Sequence, residues 1–379
     1  MTNSLNRRDF FKLSGGAAAL AATATLAPTA LASNGSKSSV DPTKRLHVTH
    51  EYGKLTEVII GNPPAPDSKI PNYEDGFEHN MAPFLKPETA QWVRDNSGKT
   101  WLEAYGEETY TKLCDQIENY AKTLQDQGIK VIRLKQFNDK DGNYLNDSHD
   151  QIWPRDMWCT AGNTAMVSSL RMPFKRKQQY MGGEVYVPIM LAGQGNYVSA
   201  PQASLETFTD NVEVQELAEK NSILIDGGDF LVDGFNIYQG IGHGSNENAV
   251  AFAQQVLGDE YKVHGLKLHT NALHLDCAMS LLSPKLGLIC RKWILSDLPK
   301  SLDGIEWIDV TEEEAFWLGT NGLPLDENTV IMDSRHERII AEVRKRGHKV
   351  IEVPYDMPSS IGGALRCSSQ PIRREPVTA

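Results

Sequence analysis

Twice in this chain a stretch with helical apolar spacing is cut by a glycine and followed at once by a short apolar strand. EETYTKLCDQIENYAKTLQDQ (107–127) runs into Gly128 and then IKVIRLK; SRHERIIAEVRKRG (334–347) ends on Gly347, and HKVIEVPYD follows. Glycine beyond the last turn of a helix accepts the left-handed conformation that closes it, and the apolar run behind it reads as a buried strand. Helix, glycine, strand, near both ends of the chain, predicts an α/β architecture with helices packed on sheets. LTEVIIGNP (55–63) adds a buried strand closed by a turn. NSILIDGGDFLVDGFNIYQGI (221–241) is broken by Asp226, Gly227, Gly228 and by Asp233, Gly234 into short strands joined by tight turns. No repeat of fixed period is evident, but the recurrence of short strand, turn and helix units suits a pseudo-symmetric fold.

The first residues read differently. SLNRRDFFKLSGGAAALAATATLAPTALASNG pairs Arg7 with Arg8, then has an Ala-rich apolar stretch and Ala30-Leu31-Ala32. This is the charge, apolar core and small-residue cleavage site of a secretory signal, of the twin-arginine type. Residues 1–32 are therefore expected to be an export signal, 33–45 a flexible segment and 46–379 a single catalytic domain, periplasmic and bacterial. The apolar stretch is short for a membrane span, which needs about 20 apolar residues, and no later window is long and apolar enough. The formal net charge of the 379-residue chain is -11. Loss of the basic signal would take it to about -13, a poor match for nucleic acid or an anionic membrane surface but compatible with small cations. Five cysteines (114, 159, 277, 290 and 367), with no CxxC pair, leave at least one thiol without an intramolecular partner.

Polar residues gather where apolar runs end. IWPRDMWCTAGNTAMVSS (152–169) sets Asp156 between Trp153 and Trp158, which either line a pocket or belong to the core. LIDGGDFLV (224–232) sets Asp226 and Asp229 around two glycines. LHLDCAMSLL (273–282) sets His274 and Asp276 on the same face of an apolar strand, since residues two apart point the same way. SSIGGALRCSSQPIRRE (359–375) brings Cys367 behind Gly362 and Gly363, with Arg366, Arg373 and Arg374 nearby to favour a thiolate. Each has an ordinary structural reading: turn chemistry, a satisfied core histidine, a buried thiol. Together they allow one pocket with a cysteine nucleophile, a histidine for proton transfer and carboxylates for a planar cation. Histidines 264, 269 and 274 share no helix or strand face, so no metal and no cofactor is expected. GIGHGSNEN (240–248) lacks the ending of a phosphate-binding loop and reads as a glycine-rich turn.

The ordered set PRD (154–156), D-x-x-D (226–229), H-L-D (274–276) and G-G-x-x-x-C (362–367) resembles the guanidino-group-modifying enzymes of the pentein superfold: amidinotransferases, arginine deiminases and dimethylarginine hydrolases. PRDMWCTAGNT, IDGGDFLVDGFNIYQG and WLGTNGLPLDENTVIMD make glycine amidinotransferase the nearest in look, over residues 50–375 or so. The resemblance implies a pentein α/β propeller of pseudo-fivefold ββαβ-type units around a central pocket. It implies Cys367 as nucleophile and His274 as proton carrier. Asp226, Asp156 and Asp276 would hold the guanidinium, with Asp229 in support. Deiminase-like relatives carry an arginine where this chain has Gly244, so Arg291 becomes the candidate for a substrate carboxylate. The expected partners are a small guanidino substrate, an amine acceptor and, from the family, a second copy in a homodimer. Transfer to an amine, hydrolysis by water and binding without turnover all stay open, with transfer ahead.

Overall fold

The computed structural model describes residues 45–73, 75–135 and 151–377, and these fall in one compact unit. The expected export signal (1–32) and nearly all of the segment expected to follow it lie outside the described residues.

Short strands carry the fold. β1 (Leu55–Ile60) and β2 (Lys130–Arg133) run parallel, from Glu57 opposite Lys130 to Ile60 opposite Arg133. β3 (Trp158–Ala161), β4 (Thr164–Val167) and β5 (Asn196–Ser199) make a second sheet, and β6 (Phe230–Asp233), β7 (Asn236–Ile241) and β8 (Lys262–Lys267) a third. β9 (Met279–Ser283), β10 (Leu286–Ile289) and β11 (Glu306–Asp309) make a fourth, and β12 (Leu323–Asp326), β13 (Thr329–Asp333) and β14 (Lys349–Val353) a fifth. The last strand, β15 (Ser369–Arg374), returns to pair antiparallel with β1 and completes the first sheet. Among the described residues there are thus five three-stranded sheets of one pattern: an outer strand antiparallel to the middle one, which is parallel to the third. In four sheets the outer and middle strands are a hairpin, and in the first they are the two ends of the domain.

A parallel step needs a crossover, and helices supply it. α1 (Trp101–Asp126) joins β1 to β2, α2 (Gly183–Leu191) β4 to β5, α3 (Glu247–Leu257) β7 to β8 and α4 (Glu337–Lys345) β13 to β14. The step from β10 to β11 uses only 3₁₀ turns, Arg291–Trp293 and Lys300–Leu302. α1 starts at a reciprocal cap, Thr100 Oγ1 accepting from Glu103 N at 3.2 Å while the Glu103 carboxylate accepts from Thr100 N at 2.9 Å. It buries Leu113, Ile117, Tyr120 and Leu124, a one-sided stripe in which each apolar side chain contributes roughly 1.5–3 kcal/mol. Gly128 and Gly347 follow α1 and α4 with φ of 79° and 86°, as the helix, glycine, strand pattern predicts.

One segment departs from its expected form. LHLDCAMSLL is not strand throughout: His274 precedes a 3₁₀ turn, Leu275–Cys277, and only then does β9 begin. Among the described residues, no helix is long and apolar enough to cross a membrane.

Candidate active site

The turn that leads into the outer strand of each sheet holds the chemistry-bearing side chains. Asp156 lies on a single helical turn (Pro154–Met157) before β3, Asp226 and Asp229 on a 3₁₀ turn before β6, and His274 and Asp276 on the turn before β9. Thr320 and Asn321 precede β12, and Cys367 precedes β15. The turns are tied to one another. Arg155 N donates to Cys367 O at 3.2 Å, and Leu275 N donates to Asp229 Oδ1 at 2.9 Å. Asn321 Oδ1 accepts from both Arg366 N (3.0 Å) and Cys367 N (3.1 Å), while Thr320 Oγ1 and Asn321 Nδ2 donate to Asp276 O. Gly228 is required for closeness: a Cβ there would stand 2.3 Å from His274 Nδ1.

Asp156, Asp226, Asp229, His274, Asp276 and Cys367 are all buried. The donor atoms of Asp156, Asp226 and His274 lie within 4.8 Å of one another, as do those of His274, Asp276 and Cys277. Three-dimensional convergence of this kind is invisible in the spacing of the histidines, and His264 and His269 take no part in it: His264 stacks on Tyr238, and His269 Nδ1 accepts from Asn271 N. The carboxylates and imidazole suit any compact or planar cation that brings its own charge or N–H donors.

The protons divide unevenly. His274 Nε2 is 3.1 Å from Asp226 Oδ2. Burial opposes a charge on His274, but Asp226, by its charge and this hydrogen bond, together with Asp156 and Asp229, raises its pKa well above the usual value. Burial pushes Asp226 up, yet His274, Lys175 and the Gly228 N–H hold its pKa below normal. Burial dominates at Asp156, against the pull of Lys175, and takes it to about 6. Burial with Asp226 nearby takes Asp229 to about 7, and burial raises Asp276 against His274, Arg155 and Arg366. Asp156 Oδ1, Asp229 Oδ2, Asp276 Oδ2 and His274 Nδ1 have no hydrogen-bond partner despite full burial. Buried carboxylate oxygens without partners are rare, and three in one cluster mark a place where a ligand's donors belong, whereas the Nδ1–H of protonated His274 calls for an acceptor.

Several neighbours escape a reading of the sequence. Lys175 Nζ binds Asp156 Oδ2 at 2.6 Å. Beneath Cys367, Arg366 Nε donates to Glu51 Oε2 at 3.0 Å, and Arg155 lies 3.9 Å from Glu51 and 3.8 Å from Asp276. Arg373 instead pairs with Glu57 and Arg374 donates to the Gly53 and Pro324 carbonyls, so these two arginines serve the β1–β15 seam rather than the thiol. Arg291 does not join the cluster. It is exposed, with Nε 2.9 Å from an exposed Asp309, because the turn after β10 faces outward. Gly244 does belong to the site: a Cβ there would stand 2.5 Å from Asp229 Oδ2 and 2.6 Å from His274 Cδ2, so a longer side chain at this position would enter the cluster. Trp158 is core, packed on Tyr186, whereas Trp153 lines a cleft of ≈ 630 Å³ with Tyr73, Met172, Phe174, Lys175 and Leu273. All five cysteines are free thiols.

Comparison with known proteins agrees with this geometry. The chain is 27% identical over 327 residues to YkgA of Bacillus subtilis (86% of this chain, 94% of that one). It is 24% identical over 353 residues to L-arginine:L-lysine amidinotransferase of Pseudomonas savastanoi pv. phaseolicola (86% and 93%). The solved structure of an inosamine-phosphate amidinotransferase from Streptomyces griseus superposes with a TM-score of 0.70 at 18% identity, covering 88% of this chain and 98% of that one. Both the amidinotransferases and the dimethylarginine hydrolases are penteins, and the five repeated small sheets are theirs. Residues 84–374 match the family model described as N,N dimethylarginine dimethylhydrolase, eukaryotic, and the chain belongs to that family.

Proposed function

We propose that this protein is a cysteine-dependent enzyme that moves the amidino group of a guanidino donor onto an amine. The observation that carries the reading is the set of unpartnered buried carboxylate oxygens on Asp156, Asp229 and Asp276, on turns tied by hydrogen bonds to the one that bears Cys367. A guanidinium is flat, permanently charged and rich in N–H donors, and carboxylates hold it by short charge-assisted hydrogen bonds. Its arrival supplies the cation that the raised pKa values of Asp156, Asp229 and Asp276 reveal to be missing, and those carboxyls ionise around it.

The Cys367 thiolate attacks the guanidino carbon: a C–S bond forms, the C=N π pair moves onto nitrogen and the carbon becomes tetrahedral. His274, already protonated, gives its proton to the amine nitrogen, whose C–N bond then breaks. An amidino-cysteine remains. An incoming amine attacks the same carbon, His274 takes its proton, and the sulfur departs. The five sheets would surround this pocket as the blades of a propeller, a ring that the β15–β1 pairing helps to close. Export through the twin-arginine signal would place the reaction in the periplasm.

Likeness to amidinotransferases over 86% of the chain favours transfer. The dimethylhydrolase family model supports a second reading, in which water takes the amine's place. The apolar wall of the cleft, formed by Trp153, Met172, Phe174 and Leu273, suits the aliphatic part of a donor, and with Arg291 facing outward agmatine is as apt a donor to test as arginine. The protein is incubated with either donor, with and without glycine or lysine. Release of the donor's free amine together with a new guanidino compound, only when an acceptor is present, is the expected result. Citrulline or a ureido product with ammonia, regardless of acceptor, would replace transfer by hydrolysis. Tight donor binding with no product in either case would leave a binding protein.

A further inference from the structure

Neither residue considered so far for a substrate carboxylate can meet one. Gly244 has no side chain to offer, and Arg291 faces outward. The cleft that Trp153 lines has one charged residue, Lys175, whose Nζ is already bound to Asp156 Oδ2 at 2.6 Å. A second cleft, of ≈ 420 Å³, shares Phe84, Leu85, Leu273 and Gly362 with the first. It borders the reacting cluster through Leu273, next to His274, and Cys277, next to Asp276, while Gly362 opens the stretch that leads to Cys367. Among the described residues that line it, Lys86 alone carries a charge.

Lys86 is half-buried and held in place without being neutralised. Its Nζ lies 3.7 Å from the centre of the Trp317 ring, another wall of the same cleft, and among the described residues no carboxylate pairs with it. Arg335 also lies over Trp317, at 4.9 Å, but its Nε and Nη2 both donate to Asp333 Oδ2. A ring face attracts an ammonium through its quadrupole and leaves the net charge in place. Lys86 is also the N-cap of the ten-residue helix Pro87–Asn96, whose positive end adds to the ammonium's field. Thr89 Oγ1 donates to Ser360 O at 3.3 Å, which ties the start of this helix to the segment before Cys367. A fixed cation in a cleft without a carboxylate suits an anionic group of the ligand.

We propose that Lys86 binds the carboxylate of the guanidino donor and so makes the protein select guanidino acids such as arginine over guanidino amines such as agmatine. The donor's guanidinium meets Asp156, Asp229 and Asp276, its aliphatic chain lies along Leu273, common to both clefts, and its carboxylate reaches Lys86. Agmatine has the same chain but ends in an ammonium alone, which the like charge of Lys86 repels. This inference rests on the proposed function and names the donor class for it.

Initial rates with arginine and with agmatine are compared for the wild-type protein, for Lys86→Met, which keeps the stem over Trp317, and for Lys86→Arg, which keeps the charge. The wild type should favour arginine by roughly 10- to 100-fold in kcat/KM, the worth of one hydrogen bond to a charged group. In Lys86→Met the KM for arginine should rise by about that factor with a smaller change in kcat, and the KM for agmatine should fall. Lys86→Arg should restore part of the preference. A wild type that prefers agmatine, or an arginine-to-agmatine ratio that Lys86→Met leaves unchanged, would overturn the assignment and leave the proposed function standing. Binding is read separately, by calorimetry of both donors on Cys367→Ala with and without Lys86→Met. If neither donor is turned over but Lys86→Met weakens arginine binding alone, the proposed function fails and this site stands. No arginine binding, or equal affinity with and without Lys86→Met, overturns the site whatever the turnover.

Discussion

Asp156 and Asp226 lie on neighbouring turns and share the fields of Lys175 and His274, yet one is held above its ordinary pKa and the other below. Two carboxylates in a buried space do not both ionise readily unless cations match them. Here protonated His274 matches Asp226, and Asp156 waits for more charge than Lys175 supplies. This sets the sign of the pH dependence. Below about 6 the Asp156 carboxyl of the free enzyme is protonated and offers no charge to a guanidinium, and Asp229 behaves likewise below about 7. The value of kcat/KM should therefore fall as pH drops through 7 to 6 and level off above, a profile that initial rates across pH 5–9 will display. Asp156→Asn should lower the plateau by roughly 10²-fold or more and remove the lower of the two steps. A flat acid limb in the wild-type enzyme would mean that neither carboxyl titrates in the free site. The residues carrying these charges were legible in the sequence because each interrupts an apolar run. Lys175, Glu51 and Arg155 were not, since nothing in an isolated Lys, Glu or Arg says that its partner lies far along the chain.

At the scale of elements, glycine stops were readable and turn geometry was not. LHLDCAMSLL alternates as a strand does, and a 3₁₀ turn that leads into a buried strand leaves the same pattern in the sequence, so His274 and Asp276 were set on the wrong element. Asn321 was missed for a related reason: an asparagine beside a glycine reads as turn chemistry, and its bonds to Cys367 N and Asp276 O exist only after folding. Arg291 was assigned from the resemblance, whereas the short turn behind β10 directs it to solvent. The loop between β7 and α3 allows a test. Asn246 Oδ1 accepts from Leu224 N and Ala249 N, its Nδ2 donates to Glu219 O and Ser222 O, and it thereby anchors the loop that lays Gly244 on His274. Asn246→Ala removes a helix cap and three tertiary bonds and should destabilise the protein by ~2–4 kcal/mol in denaturant titration. Gly244→Ala should depress turnover and cost stability as well, because its methyl group meets the buried Asp229 and His274 at 2.5 and 2.6 Å. If Gly244→Ala turns over at the wild-type rate, the loop does not shape the site.

Over the whole molecule, one local rule repeated five times explains why the site is where it is. Each sheet receives its outer strand from a turn bearing polar side chains: Asp156 in the second, Asp226 and Asp229 in the third, His274 and Asp276 in the fourth, Asn321 in the fifth and Cys367 in the first. The domain's two ends complete the first sheet, so Cys367, the proposed nucleophile, arrives with the last strand, which pairs with β1. Sequence alone suggested recurring units, but equivalence of the five turns requires the strand pairings. The proposed reaction passes through a covalent amidino intermediate on Cys367. Its most direct test is intact-mass analysis of the reduced protein, acid-quenched within the first turnovers with arginine or agmatine, followed by peptide mapping. The expected result is a mass increase of one amidino group on the peptide holding Cys367, lost on addition of an acceptor amine and absent from a folded Cys367→Ala variant that has no turnover. Turnover in Cys367→Ala at a rate near wild type, or an adduct on any other residue, would contradict it.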